Sequence, residues 1–72
     1  MTYEAIVDLL DYAGVHEQVV RITTIDAGDI VGIPTSVDTD RGALEVFLRP
    51  VGAEEMEIAV RLTEIRSVAV EG

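Results

Sequence analysis

The spacing of apolar residues changes character at Gln18. Before it, Tyr3, Ile6, Val7, Leu10 and Ala13 recur at steps of three and four residues; after it, apolar and polar residues alternate in short runs closed by Gly, Pro and Asp. The first period is that of an amphipathic helix and the second that of half-buried strands. A helix is predicted over about residues 3–13, with Thr2 as its cap and Glu4 in the first turn, where a carboxylate favours the positive end of the dipole. Glu4, Asp8 and Asp11 fall away from the apolar stripe, and Gly14 is placed to take a left-handed conformation past the helix end. Asp11 sits near the end where the dipole disfavours it, which points to a role other than helix stability.

Five strands are predicted at about 18–25, 29–38, 43–49, 55–62 and 66–70. Val20, Ile22 and Thr24 share one face of the first. Leu44, Val46 and Leu48 share one face of the third, Met56, Ile58, Val60 and Leu62 one face of the fourth, and Val68 and Val70 one face of the fifth. Asp26 and Gly28 mark the first turn, with Gly28 supplying its positive φ. Leu62-Thr63-Glu64-Ile65 suits a single 3₁₀ turn. Gly32 and Pro34 stand inside the second strand, where one permits a sharp bend and the other lacks a ladder donor, so a bulge, a barrel corner or an exposed edge is expected there. One helix followed by five short strands with turn residues between them predicts a mainly β domain spanning 1–72, built as a strongly bent antiparallel barrel. Closing the sheet would remove the edges that a flat one exposes.

A domain of 72 residues buries about 60% of the surface of its unfolded chain and is marginal alone. With no Cys and one His, it has neither a disulfide nor a His/Cys zinc site to add stability, which leaves an efficient barrel or a homo-oligomer. No cationic stretch leads into an apolar run at the start, and the apolar runs are short. Neither a signal peptide nor a membrane span is therefore expected, and a cytoplasmic protein without a membrane partner is. Fourteen acidic residues against five Arg give a net charge of −9. Such a field repels phosphate backbones and attracts basic protein surfaces, and it is equally what a salt-adapted host's general composition would produce.

Few residues suggest chemistry. Asp38-Thr39-Asp40-Arg41-Gly42 opens like a calcium loop, yet Arg41 and Arg49 stand where that motif needs oxygen ligands, so an acidic hairpin is expected and no metal or cofactor. His16 is the single conceivable general base, with Ser36 or Ser67 as nucleophile, but no nucleophile-turn motif surrounds either Ser, and a small hydrolase is only a remote alternative. Phe47 lies on the face opposite Leu44, Val46 and Leu48, exposed unless the helix or a neighbouring subunit covers it. Glu54, Glu55 and Glu57 read as a solvated loop.

A short helix followed by five strands with a bent second strand resembles the Sm-like (Lsm) barrel, an SH3-type fold. Gly28 matches that family's first-hairpin glycine, and Ile30, Gly32, Val37 and Asp38 match its apolar, Gly, apolar, Asp pattern. Of the positions the family uses on RNA, Asp38 and Arg61 are retained, while the usual Asn is Gly42 and the usual Arg-Gly is Arg61-Leu62. The resemblance thus implies the fold and a weakened RNA pocket. The chain is also similar to the Rof family of transcription-termination inhibitors in its acidic helix, Gly28 and the segment Leu62 to Ser67. That likeness implies a non-enzymatic module whose helix, through Glu4, Asp8 and Asp11, meets the basic surface of a nucleic-acid-handling protein. An oligomeric Lsm-type RNA-binding protein is the alternative.

Overall fold

The computed structural model describes residues 1–71. Helix α1 spans Tyr3–Val15. Its N-terminus is capped by the Thr2 hydroxyl, which accepts from the Ala5 N–H at 3.1 Å, satisfying one of the donors that a helix start leaves open. Ile6, Leu10 and Ala13 are buried on one stripe, flanked by half-buried Val7 and Leu9. Tyr3, expected on that stripe, is exposed instead.

The helix also runs past its expected stop. Gly14 lies inside it, and a Cβ there would come within 3.3 Å of the Pro34 carbonyl oxygen, so the glycine lets α1 approach the sheet closely. The left-handed residue is Glu17, at φ 52°. The Gln18 N–H then donates to the Ala13 carbonyl at 2.8 Å and ends the helix.

The strands are β1 (Val20–Thr24), β2 (Asp29–Asp38), β3 (Glu45–Pro50), β4 (Ile58–Arg61) and β5 (Ile65–Val70), with a 3₁₀ turn at Leu62–Glu64 between the last two. In the β1–β2 turn the positive φ belongs to Ala27, at 67°, and not to Gly28. Gly28 sits close to the turn's side chains instead: its N–H donates to both Asp26 Oδ1 and Thr24 Oγ1, and a Cβ would make a tight contact, 3.2 Å, with that hydroxyl.

All neighbouring strands are antiparallel, in the order β4-β3-β2-β1-β5. Strand β2 is shared between two halves of the sheet. Asp29 to Gly32 pair with β1, Gly32 to Asp38 pair with β3, and the register slips between Pro34 and Ser36, leaving Thr35 as a bulge. Gly32 is the corner. A Cβ on it would stand 2.5 Å from the Arg49 carbonyl oxygen, closer than real Cβ atoms come, so only glycine fits where β2 bends across β3.

The end strands β4 and β5 are linked by three residues, so the sheet has to curl back on itself as a barrel. Among the described residues no ladder joins them, and one edge of each stays without a strand partner. Inside lie Val20, Ile22, Val46, Leu48, Val60, Leu62, Ile65 and Val68 with the three helix residues. Two residues expected inside are not: Met56, 54% exposed, precedes β4, which begins only at Ile58, and Val70, 41% exposed, is the last residue of β5, although its partner in register, Val20, is buried. Ile65, assigned from sequence to the turn, is buried instead.

Candidate functional site

The β2–β3 loop is shaped by its own acids. The Asp38 carboxylate accepts from the Asp40 N–H at 3.0 Å, and the Asp40 carbonyl accepts from the Ala43 and Leu44 N–H groups at 2.9 and 3.2 Å. The turn ends with Leu44 at φ 47°, a left-handed conformation unusual for a branched side chain. From there the Leu44 carbonyl accepts from the Leu62 N–H at 2.8 Å, one step beyond the last β3–β4 pair, Glu45 with Arg61. These contacts bring loop and turn together. Gly42, Leu44 and Glu45 on one side and Arg61 and Thr63 on the other line a cleft of about 230 Å³.

Arg61 is exposed at this cleft and Arg41 is exposed one residue before Gly42. Of the five Arg, Arg21 alone forms ion pairs among the described residues, at 3.2 Å to Asp29 and 2.6 Å to Glu71. Arg61 has none, although Glu45 is its partner in register. The guanidinium is thus left available to an anion. Of the three positions named from sequence, Gly42 and Arg61 meet at the cleft, and Asp38 stands behind them as the organiser of the loop. Thr63, Glu45 and Leu44 were missed, and only the expectation of a turn at Leu62-Thr63-Glu64 pointed their way.

Other candidates stand apart. Glu4, Asp8 and Asp11 are all exposed along α1 and in no ion pair among the described residues. Asp11 reaches a second, mainly apolar groove of about 210 Å³, where Leu10, Gly14 and Val15 of α1 face Pro34 to Val37 of β2. Phe47 is half-buried, between Ser36 and Ala59 in register, while α1 packs on β2, β5 and the 3₁₀ turn. His16 packs against Tyr12, with ring centroids 4.3 Å apart and the rings tilted by 44°, and no hydrogen bond joins it to Ser36 or Ser67. Among the described residues, no three Asp, Glu or His side chains gather as metal ligands. No helix among them is long and apolar enough to cross a membrane.

Neither a protein-family profile nor a curated protein matches this chain. Among solved structures, the chain is similar to the crystal structure of the pleiotropic translational regulator Hfq, with a TM-score of 0.71 and 17% sequence identity over 99% of this chain and 98% of that one. At such identity the likeness speaks for the fold: one helix and a five-stranded, strongly bent antiparallel barrel of the Sm-like type.

Proposed function

We propose that this chain is a non-enzymatic regulatory module that assembles as a homo-oligomer and takes a short single-stranded RNA segment at the Gly42–Arg61–Thr63 cleft. The observation that carries the reading is the meeting of an unpaired Arg61 with the polar loop that ends at Leu44, in a cleft large enough for a base. Likeness to a translational regulator supports it. A protein with a net charge of −9 repels RNA at long range, so the cleft has to work by contacts to base edges and by the one or two Arg beside it. Binding should therefore be modest. Its logarithm should fall with log salt by only about 0.7 for each phosphate an Arg neutralises.

The test is a titration of short uridine and adenosine oligomers at several salt concentrations, with Arg61→Ala beside the parent. Expected is weak binding with a shallow salt slope that Arg61→Ala removes. Binding by neither oligomer at low salt, or binding that Arg61→Ala leaves intact, would overturn the reading. Gly42→Asn offers a gain-of-function arm, since a side chain there meets nothing within 4 Å and the family resemblance places an Asn at this position. It should tighten RNA binding without disturbing the fold.

A second reading, a protein partner with a basic surface, is favoured by the three exposed and unpaired carboxylates of Glu4, Asp8 and Asp11. Charges of this kind mainly set association rate, so Asp8→Lys with Asp11→Lys should slow association at low salt and matter less at high salt.

A further inference from the structure

Strand β2 is longer than the neighbour on its β1 side. Ladder pairs to β1 stop at Gly32, and from Ile33 to Asp38 the strand is paired with β3 alone. That edge is therefore open. Helix α1 runs alongside, close to it at Gly14 and Pro34, and the groove lies between the two, with Val15 and Val37 on its walls and buried Leu10 beneath. Val15 on its lip is 79% exposed, an apolar residue with nothing over it. The lip is acidic as well. Asp11 lines the groove, Asp8 stands one helical turn earlier, and Asp38 ends the open edge.

An unpaired strand edge, an apolar slot beside it and carboxylates at the margin are together the complement of an extended peptide in which an apolar side chain is flanked by Lys or Arg. Main-chain hydrogen bonds to the edge would supply affinity, and the slot and the acids would supply selection. We propose that the groove between α1 and the outer half of β2 captures such a basic peptide, which adds as a strand along Thr35–Asp38, seats an apolar side chain between Val15 and Val37, and places a cation at Asp11. This rests on the second reading, a basic protein partner, and gives that partner a site; it is independent of the Arg61 cleft.

The bulge at Thr35 fits the same role. It lies three residues past the last pair with β1, and the Thr35 hydroxyl, 3.1 Å from both the Phe47 carbonyl oxygen and Glu57 Oε2, ties the bulge back toward β3. A hydroxyl has a single proton and donates to one of these at a time. The edge beyond the bulge is left to another chain. An RNA strand is the less suitable occupant, since phosphates would lie against Asp8, Asp11 and Asp38 without an Arg among the groove's lining residues.

The test uses the whole chain and a short synthetic peptide alternating Val or Leu with Lys or Arg, beside the same peptide with Glu in place of the cations. Binding is followed by fluorescence anisotropy and by amide chemical shifts. Expected is saturable binding of the basic peptide alone, with shifts at 35–38 and 10–15. Asp11→Lys or Val15→Glu, both at exposed positions whose fold is checked by circular dichroism, should weaken it by about tenfold at low salt. Arg61→Ala should bind the peptide like the parent. Shifts confined to Glu4 and Asp8 would overturn the groove and keep a basic partner on the helix, whereas no binding of the basic peptide would overturn both. Equal binding of the acidic peptide, RNA-induced shifts in the groove, or groove shifts that grow with protein concentration alone would each assign another occupant and overturn the proposal.

Discussion

Two glycines at bends of this chain stand under opposite constraints. At Gly32 the constraint is space, because the Arg49 carbonyl lies 2.5 Å from where a Cβ would be. Gly32→Ala should therefore cost about 1–3 kcal/mol, in the range of overpacked sites. At Gly42 nothing lies within 4 Å and no positive φ is needed. Gly42→Ala should be neutral or stabilise by about 0.4–1 kcal/mol through the unfolded chain. Urea melts of the pair check the contrast, and equal effects would show that the β2 corner relaxes. In the β1–β2 turn, the Thr24 hydroxyl and then the Gly28 N–H donate to the Asp26 carboxylate and hold its pKa below the ordinary value. A depressed carboxylate contributes stability that is complete above its unfolded pKa, about 4, and is lost as pH falls through its lower folded value. The parent should thus lose more stability below about pH 4 than Asp26→Asn does. Melts of both proteins that fall in parallel across that window would remove the turn from the acid response.

Elements were legible wherever a period was long enough to be read. The helical stripe of Ile6, Leu10 and Ala13 and the alternation of Val46 with Leu48 are intensive patterns, and both are buried as they predict. Leu10 has no exposed surface, so Leu10→Ala should cost about 2–5 kcal/mol, whereas Met56→Ala, which lies outside the core, should change little. Thermal melts decide it, since about 1 kcal/mol moves the midpoint of a domain this size by roughly 4–8 °C. Alternation misled at the ends of strands. It carries no record of where a strand starts or stops, so it placed Met56 and Val70 inside although β4 begins only at Ile58 and Val70 is the exposed last residue of β5. Turn residues misled in the same way. Gly14 and Gly28 were visible as glycines, but whether a glycine serves φ or close approach depends on what packs against it, and here Pro34 and Thr24 decide. The cleft was half legible: Asp38, Gly42 and Arg61 came from the family resemblance, while Thr63 and Glu45 join only when Leu62 donates to Leu44. The groove beside α1 was invisible, because it exists through the unequal lengths of β1 and β2.

At the scale of the whole molecule the governing facts are the unpaired edges of the two end strands and a large negative charge. Edges β4 and β5 stand at opposite ends of the strand order, so an edge of one copy can pair with the other edge of the next, a head-to-tail contact that closes into a ring or continues as a filament. Exposed Ala59 on β4 and exposed Ala69 and Val70 on β5 offer such a contact little charge to desolvate. Half-buried Phe47, next to Ala59 in register, would lose its remaining exposure if a neighbour covered that face. Against this, every copy brings a net charge of −9, and the repulsion grows with each added subunit. Salt screens that repulsion, its reach falling from about 10 Å at 0.1 M to about 3 Å at 1 M, and leaves main-chain pairing and apolar contact largely intact. Assembly should therefore strengthen as salt is raised, the reverse of the salt dependence expected of the proposed RNA binding at the cleft. Sedimentation at low and high salt reads this directly, with Phe47→Ser expected to shift the distribution toward monomer at both. A parent that stays monomeric at high micromolar concentration in high salt would refute edge pairing, and oligomers that dissociate as salt rises would show that ion pairs, not strand edges, join the copies.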